Sequence, residues 1–94
     1  MSDLPPPELQ AFDQRHLIVI STRSPTDCLA AIAHALPRVG GRMRGLSLKP
    51  VGAQFEATLR LSSVGDAGAD RAANLIAAWP NAGSVRMEHQ WVRP

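Results

Sequence analysis

The most constraining feature of this sequence is the regular alternation of apolar and polar residues from 54 to 61. Its apolar members are Phe55, Ala57, Leu59 and Leu61. Successive side chains of a strand point to opposite faces of a sheet, so this pattern predicts a strand with one buried face and one polar face. The chain is therefore expected to build a sheet with one buried face and one face that is wet or covered by a polar partner.

Three further segments read as strands. Residues 17–20 form a continuous apolar run, which predicts a central strand that is buried on most of its surface. Residues 42–49 form an alternating segment with Leu46 and Leu48 on one face, and Pro50, Val51 and Gly52 after it predict a turn. Residues 84–93 form the last strand, with Val85, Met87, His89 and Trp91 on one face.

Two helices separate these strands. Ser24 is a suitable N-cap, Pro25 suits the first helical position, and Asp27 stands where a capping box places its acidic member. Pro37 is expected to end this helix. A second helix is predicted over residues 69–79, with Asp66 as its cap. The apolar stripes of the two helices comprise Cys28, Leu29, Ile32, Ala33 and Leu36, and Ala72, Leu75, Ile76 and Trp79.

The element order βαββαβ predicts an α+β, ferredoxin-like sandwich with a four-stranded antiparallel sheet and two helices on one face. Right-handed crossovers place the first and third strands in the middle of the sheet and leave the second and fourth at its edges. The single domain is assigned to residues 15–94, and residues 1–14 to a Pro-rich N-terminal tail. A solvated leader is the first interpretation of this tail, and a partner-binding strap anchored by Leu9 and Phe12 is the second.

Composition limits the function classes. With 94 residues the chain is long enough for one small domain, and it contains no apolar run near the roughly eighteen residues of a membrane span. One cysteine excludes an internal disulfide framework and fits a reducing compartment, so a cytoplasmic location is expected. The net charge of +2, with a pI near 9.5, permits weak association with anions without requiring nucleic acid.

Residues that carry catalytic or metal chemistry are sparse. Cys28 falls on an apolar helix stripe, so a core cysteine is favoured over a reactive thiolate. His16, His34 and His89 are too scattered for a zinc or copper motif, and no cofactor is expected. His89 is interpreted as a core or interface histidine rather than a general base.

Anion and nucleic-acid sites are also weakly supported. The glycine-rich stretch that starts at Gly40 and Gly41 follows a helix and opens a strand, so it lacks the context of a phosphate-binding loop. Phe55 and Trp91 are expected to point towards the helices, which leaves no aromatic platform on the polar sheet face for stacking bases. The sequence therefore does not favour nucleic-acid binding.

A corner joins the first strand to the first helix, which contains Leu29. Gly40 follows eleven residues later, and the next strand starts at Arg42 and Met43. This order of features resembles the ACT domain family. The resemblance spans residues 17–92, and among ACT domains the chain is most similar to the small regulatory subunit of acetolactate synthase. It implies a non-catalytic regulatory module that serves amino-acid biosynthesis, such as the branched-chain pathway.

The resemblance also implies a ligand site, in which an amino-acid effector lies between the first loop and the start of the second strand. The corresponding residues here are Ser24, Pro25, Thr26, Asp27, Cys28, Gly40, Gly41 and Arg42. The family's loop glycine is Asp27 in this chain, and a carboxylate at that position opposes an effector carboxylate and uses a backbone donor. Weak or absent effector binding is therefore expected, with compensation by Arg42, through pairing with an anion, as the alternative.

Three functions remain open at this point. The favoured one is a regulatory subunit that forms a homodimer through a sheet edge and docks a large catalytic subunit through the polar sheet face. The second is a free-standing sensor of a small molecule such as an amino acid. A small enzyme is the third, and the sequence offers no polar cluster to support it.

Overall fold

The described residues form one four-stranded sheet with two helices. The computed structural model describes residues 13–62 and 64–92, and the side chains of residues 15–62 and 64–88. Of the predicted tail, residues 1–12 lie outside the described residues, whereas 13 and 14 belong to the first strand. The elements are β1 (Asp13–Thr22), α1 (Pro25–Val39), β2 (Arg42–Val51), β3 (Gln54–Ser62), α2 (Gly65–Ala78) and β4 (Ser84–Val92).

The sheet order is β2-β3-β1-β4, and every neighbouring pair is antiparallel. This confirms the predicted ferredoxin-like arrangement, with the first and third strands central and the second and fourth at the edges. Ile18 and Ile20 of β1 and Leu59 of β3 are fully buried on one face, where both helices pack in a single core. The opposite side of the sheet, called the open face below, carries Leu17, Val19 and the polar residues of β3.

Helix α1 begins as predicted but ends later. Ser24 is its N-cap and Gly40, with φ of 68°, is its left-handed C-cap. Pro37 lies inside the helix, so the expectation that it ends the helix was wrong. Pro37 lacks the N–H that would bond the Ala33 carbonyl, and because only two helical residues follow it, little of the helix lies beyond the missing bond.

The apolar stripe of α1 was only partly predicted. Cys28 and Ile32 are buried as expected, whereas Leu29 is 42% exposed. Ala33 is also exposed, and Ala31 and Ala35 are buried in the core instead. Small side chains are buried at these two positions because α1 packs closely against α2 as well as against the sheet.

Helix α2 begins four residues before the predicted start. Val64 is its N-cap residue and makes no side-chain capping bond, while Asp66 lies in the first turn. The prediction that Asp66 caps this helix was therefore wrong. The apolar stripe is as predicted: Ala72 and Ile76 are buried, and Leu75 and Trp79 pack against the core.

Strand β2 is longer than predicted and poorly covered. Pro50 and Val51 belong to the strand, so the predicted turn is confined to Gly52 and Ala53, and Gly52 has a positive φ of 62°. Proline is tolerated here because β2 is an edge strand with one hydrogen-bonded neighbour. Leu48 shares a face with Leu46 as predicted, yet it is 43% exposed, because neither helix in the described part of the chain packs extensively on β2.

The helices are short. Neither helix in the described part of the chain combines the length and the apolar character that a membrane crossing needs.

Candidate functional site

The first loop is held by a compact set of hydrogen bonds at the start of α1. The Thr22 hydroxyl donates to the Ser24 carbonyl at 3.1 Å and accepts from the Ser24 amide at 2.9 Å. The Cys28 amide donates to the same Ser24 carbonyl at 3.0 Å. Thr22 is 1% exposed, so these bonds fix the direction in which the chain leaves β1.

Asp27 completes this N-terminal cap. Its amide donates to Ser24 Oγ at 3.4 Å, and Ser24 Oγ donates to Asp27 Oδ2 at 2.7 Å. One of the free amides of the helix start is thus satisfied within the chain, and a carboxylate stands in the first turn. An anionic ligand approaching this end of α1 meets a like charge where a bare helix N-terminus offers donors.

The eight predicted ligand residues form two groups in one chain. Ser24, Pro25, Thr26, Asp27 and Cys28 surround the start of α1, whereas Gly40, Gly41 and Arg42 follow its end. A helix of 15 residues is about 22 Å long at 1.5 Å per residue. The two groups therefore share no pocket within a single chain.

Ser24 and Asp27 do line a cleft with other residues. This cleft, of about 540 Å³, lies where β1 ends and β3 and β4 begin. Arg23 and Asp27 give it one cation and one carboxylate, and the remaining lining is hydroxyl, amide and backbone groups. The other lining residues are Ser21, Gln54, Asn81, Gly83 and Ser84.

The connection between α2 and β4 lines this cleft and lies close to the end of β1. Asn81 has a positive φ of 63° and Gly83 a φ of 125°. A Cβ at Gly83 would lie 2.2 Å from the Ser21 carbonyl oxygen, so only glycine fits there. The sequence pattern that predicted a turn at residues 81–83 gave no sign that this turn would line a cleft with β1.

Cys28 is a core residue, as expected. Its side chain is fully buried, and this burial raises the pKa of the thiol above its ordinary value. The thiol therefore stays protonated at neutral pH, which does not suit a nucleophile.

The histidines occupy separate environments. His16 is 1% exposed and its Nε2 lies 3.0 Å from Asp66 Oδ1. The His34 ring packs on Trp79 with centroids 4.9 Å apart. The side chains of His89 and Trp91 lie outside the described residues, although the backbone of His89 pairs directly with His16. Within the described residues, no group of three His, Cys, Asp or Glu side chains is arranged to hold a metal ion.

Sequence reasoning missed the contact between His16 and Asp66. The two residues are 50 positions apart, and each was assigned a local role or none. A histidine next to an apolar strand was the available signal, because a buried ring needs a polar partner from another element.

Comparisons with known proteins bear on the fold. No protein-family model and no curated protein matches the chain. The C-terminal domain of the MgtC protein from Mycobacterium tuberculosis is 20% identical, with a TM-score of 0.68 over 83% of this chain and 88% of that chain. An ACT domain protein from Streptococcus pneumoniae is 14% identical, with a TM-score of 0.59 over 84% of this chain and 90% of that chain.

A third solved structure is similar as well. It is an uncharacterized protein from Thermotoga maritima, 8% identical, with a TM-score of 0.54 over 86% of this chain and 100% of that chain. At these identities the likeness concerns the course of the backbone. Together with the strand order and the helices on one face, it shows that the chain adopts an ACT-like, ferredoxin-like fold.

Proposed function

We propose that the protein is a non-catalytic regulatory module that pairs with a second copy and acts on a larger amino-acid biosynthetic enzyme. Acetolactate synthase is the specific candidate, because the sequence resembles its small regulatory subunit. The ACT-like fold is consistent with such a role. The observation that carries the proposal is the edge of the sheet at β2, which no other strand of the described residues covers.

The β2 edge is defined here as strand β2 with the adjoining flank of α1. Met43 and Leu48 are 48% and 43% exposed on the helix side of the strand. Leu29 and His34 are roughly 140° apart around α1 at 100° per residue. His34 contacts Trp79, the C-cap residue of α2, so Leu29 lies on the flank of α1 that faces away from α2. Since α1 packs on β1 and β3 and α2 packs on β1 and β4, this flank is on the β2 side of the sheet. Exposed apolar side chains beside unpaired backbone groups favour pairing with another strand.

A two-fold axis near the middle of β2 would join two sheets into one of eight strands. Edge strands related by such an axis run antiparallel, so the start of one β2 lies beside the end of the other. Val51, at the end of β2, pairs with Gln54 of β3. Gln54 and Ser24 line the same cleft, so the end of β2 lies at the same end of the sheet as the start of α1. Gly40, Gly41 and Arg42 of a second copy would thus approach residues 24–28 of the first, which brings the two predicted ligand groups together.

The geometry at Asp27 argues for weak or absent effector binding in that composite site. The Ser24–Asp27 pair already uses an amide that an effector carboxylate needs, and it adds a negative charge. Support of the partner enzyme without strong feedback inhibition is therefore the expected behaviour.

The dimer is tested by placing a charge in the β2 edge. Leu48→Arg is expected to weaken self-association at least about tenfold, or roughly 1.4 kcal/mol, because a guanidinium would be buried without a partner. Sedimentation velocity over a concentration series measures the change. Ala77→Arg on the exposed surface of α2 is the matched control and is expected to leave association unchanged. A wild-type chain that stays monomeric throughout the series contradicts the proposed dimer.

The partner is tested with a purified catalytic subunit of acetolactate synthase. Mixing it with the full chain is expected to give a stable complex in size-exclusion chromatography and a change in turnover, while the chain alone shows none. Absence of a complex with this enzyme, together with recovery of a different biosynthetic enzyme from the native extract, would reject the candidate and keep the regulatory role. Turnover by the chain alone would reject both.

A free-standing sensor is the second candidate, and the cleft beside Asp27 favours it. Arg23 and Asp27 offer opposite charges among neutral polar groups, an arrangement that suits a zwitterion such as an amino acid. A melting assay against the twenty amino acids is expected to show a saturable shift for one of them, reduced by Arg23→Ala. Flat melting curves for all twenty would eliminate this candidate.

A further inference from the structure

The start of β2 is rich in arginine. Arg42 and Arg44 lie in the first turn-free stretch of this strand, and Arg60 lies opposite Gly45 on β3. All three arginine side chains are exposed. In the described part of the chain, none of them has a carboxylate within ion-pair distance. These three residues, called the arginine patch below, therefore carry positive charge without an ion-pair partner among the described residues.

The strand register brings these arginines close together. Arg42 pairs opposite Ser62, which lies two residues after Arg60 on the same face of β3. Residues in this diagonal relation are about 7–8 Å apart, within reach of long side chains. The register shifts between Met43 and Gly45, so Arg44 is an extra residue of β2 at this point. The three side chains therefore start from the same short stretch of the sheet edge.

The Arg60 guanidinium is held across β2 at Gly45. A Cβ added at Gly45 would lie 2.8 Å from Arg60 Nη2, 2.9 Å from Nε and 3.2 Å from Cζ. The guanidinium thus occupies the space that a side chain at this position would take. A side chain that is already packed in place loses less conformational entropy when it binds an anion than a freely rotating one does.

The other cations of the open face already have neighbours. Lys49 Nζ lies 3.7 Å from Glu56 Oε1, and Arg86 Nε lies 3.5 Å from Glu88 Oε2. Arg15 interacts with another group as well and is not part of the patch. The positive charge that a partner can use is therefore concentrated in the arginine patch.

The open face carries a third carboxylate residue, Asp13. It pairs opposite Val92 of β4, and the whole of β3 separates its strand from β2. Neighbouring strands lie about 4.7–4.9 Å apart, so the backbone of Asp13 is roughly 10 Å or more from β2. Asp13 therefore lowers the net charge of the open face on the side of β1, away from the β2 edge.

Two further arginines flank the patch at the end of α1. Arg38 donates to the His34 carbonyl at 2.6 Å, and Arg71 of α2 donates to the Arg38 carbonyl at 3.5 Å. Both side chains are exposed, and their acceptors are neutral carbonyl groups, so both charges remain. Asp70, next to Arg71 in sequence, is exposed too and offsets one of these charges in part. Because Arg38 precedes Arg42 by four residues, the basic surface continues from the sheet to the helix layer.

The chemistry beside the patch favours a polypeptide as the occupant. Met43, between Arg42 and Arg44 in sequence, is 48% exposed on the helix side of β2. A segment with carboxylates and apolar side chains can contact both the arginines and this methionine, whereas a phosphate backbone offers the methionine no apolar partner. The described side chains of the open face include no aromatic ring on which bases could stack. An acidic segment of a protein therefore fits this surface better than nucleic acid does.

We propose that the arginine patch docks an acidic segment of the partner enzyme. Arg42 and Arg44 bind its carboxylates at the start of β2, and Arg60, held over Gly45, binds a further one. The identity of the partner rests on the proposed regulatory function, whereas the acidic character of the segment follows from the patch. Pairing of two β2 edges uses backbone groups and leaves the open face accessible, so the patch is compatible with the dimer.

The test titrates the full chain into a fluorescein-labelled decaglutamate peptide and measures fluorescence anisotropy at physiological ionic strength. Saturable binding is expected. Arg42→Gln combined with Arg60→Gln should weaken it at least about tenfold, because charge-assisted hydrogen bonds are lost. Lys49→Gln combined with Arg86→Gln removes the same charge from the same face and is the matched control. Because both of these cations already have carboxylate neighbours, this control should change binding by less than about twofold.

Gly45→Ala tests the position of Arg60 without changing any charge. A methyl group there displaces the guanidinium, so binding should weaken, though by less than in the double arginine variant. Urea unfolding of each variant checks that the fold is retained.

Four results overturn the proposal. The first is a wild-type chain that does not bind the peptide saturably. The second is an equal loss in both double variants, which would mean that net charge alone attracts the peptide. The third is binding that Gly45→Ala does not change. The fourth is tighter binding of a DNA duplex or of tripolyphosphate than of decaglutamate, which would assign the patch to nucleic acid or to a free phosphate compound.

The titration contains no enzyme, so it separates this proposal from the proposed function. Rejection of acetolactate synthase as the partner would leave peptide binding intact, whereas failure of the patch would abolish it. The β2 dimer is tested separately by Leu48→Arg.

Discussion

The two helices begin in physically different ways. Helix α1 is capped by a residue next to it in sequence, since Ser24 and Asp27 exchange hydrogen bonds within one turn. Helix α2 has no side-chain cap at Val64, and its first turn is instead tied to β1 by the contact between Asp66 and the buried His16. The start of α1 is thus set locally, whereas the start of α2 depends on the sheet.

The largest expected effect comes from removing the tertiary anchor. His16→Ala deletes a fully packed ring and its hydrogen bond, so the free energy of unfolding should fall by about 2–4 kcal/mol. Urea unfolding of the full chain measures this loss. His34→Ala, which removes a half-buried ring that packs on Trp79, is the control and should cost clearly less. Similar losses for both variants would mean that His16 is no anchor.

The local cap should have an intermediate effect. Ser24→Ala removes the hydroxyl that accepts from the Asp27 amide, and loss of such a cap costs about 1 kcal/mol. Asp27→Ala and the double variant complete a cycle measured by urea unfolding. Because the two side chains act as one unit, the double variant should lose less than the sum of the single losses. Strict additivity would contradict a shared cap.

The smallest effect is expected at Asp66. Its side chain is 69% exposed, so solvent screens its charge, and Asp66→Asn keeps an oxygen that accepts a hydrogen bond. A loss below about 1 kcal/mol is expected. In Asp66→Asn, amide hydrogen exchange in the first turn of α2 should nevertheless be faster than in the wild-type chain, while exchange in the first turn of α1 stays the same. Unchanged exchange in α2 would show that its start does not depend on this contact.

These contrasts explain how far the sequence predicts the structure. The start of α1 and the buried face of β3 follow from residues that are adjacent or alternate, and both were predicted. The exposure of Leu29 and Leu48 was missed, because it depends on the position at which the two helices pack on the sheet. The true start of α2 was missed for the same reason, since Asp66 binds a residue 50 positions away.

The candidate site was predicted only in its local part. The cap that joins Ser24 and Asp27 could be predicted because an acidic residue follows the serine three positions later. The cleft beside it could not, because Gln54 and Asn81 reach it from other strands and loops. The predicted grouping with Gly40 and Arg42 needs a second chain, which no pattern within one sequence specifies.

The central position of β1 has a consequence for biosynthesis. Both neighbours of this strand, β3 and β4, are translated after it, and β4 comes only after α2. In a nascent chain the apolar segment at residues 17–20 therefore lacks both neighbouring strands while about half of the domain is still being synthesised. Slowed translation or truncation before β4 should thus expose one flank of this strand to chaperones and to aggregation.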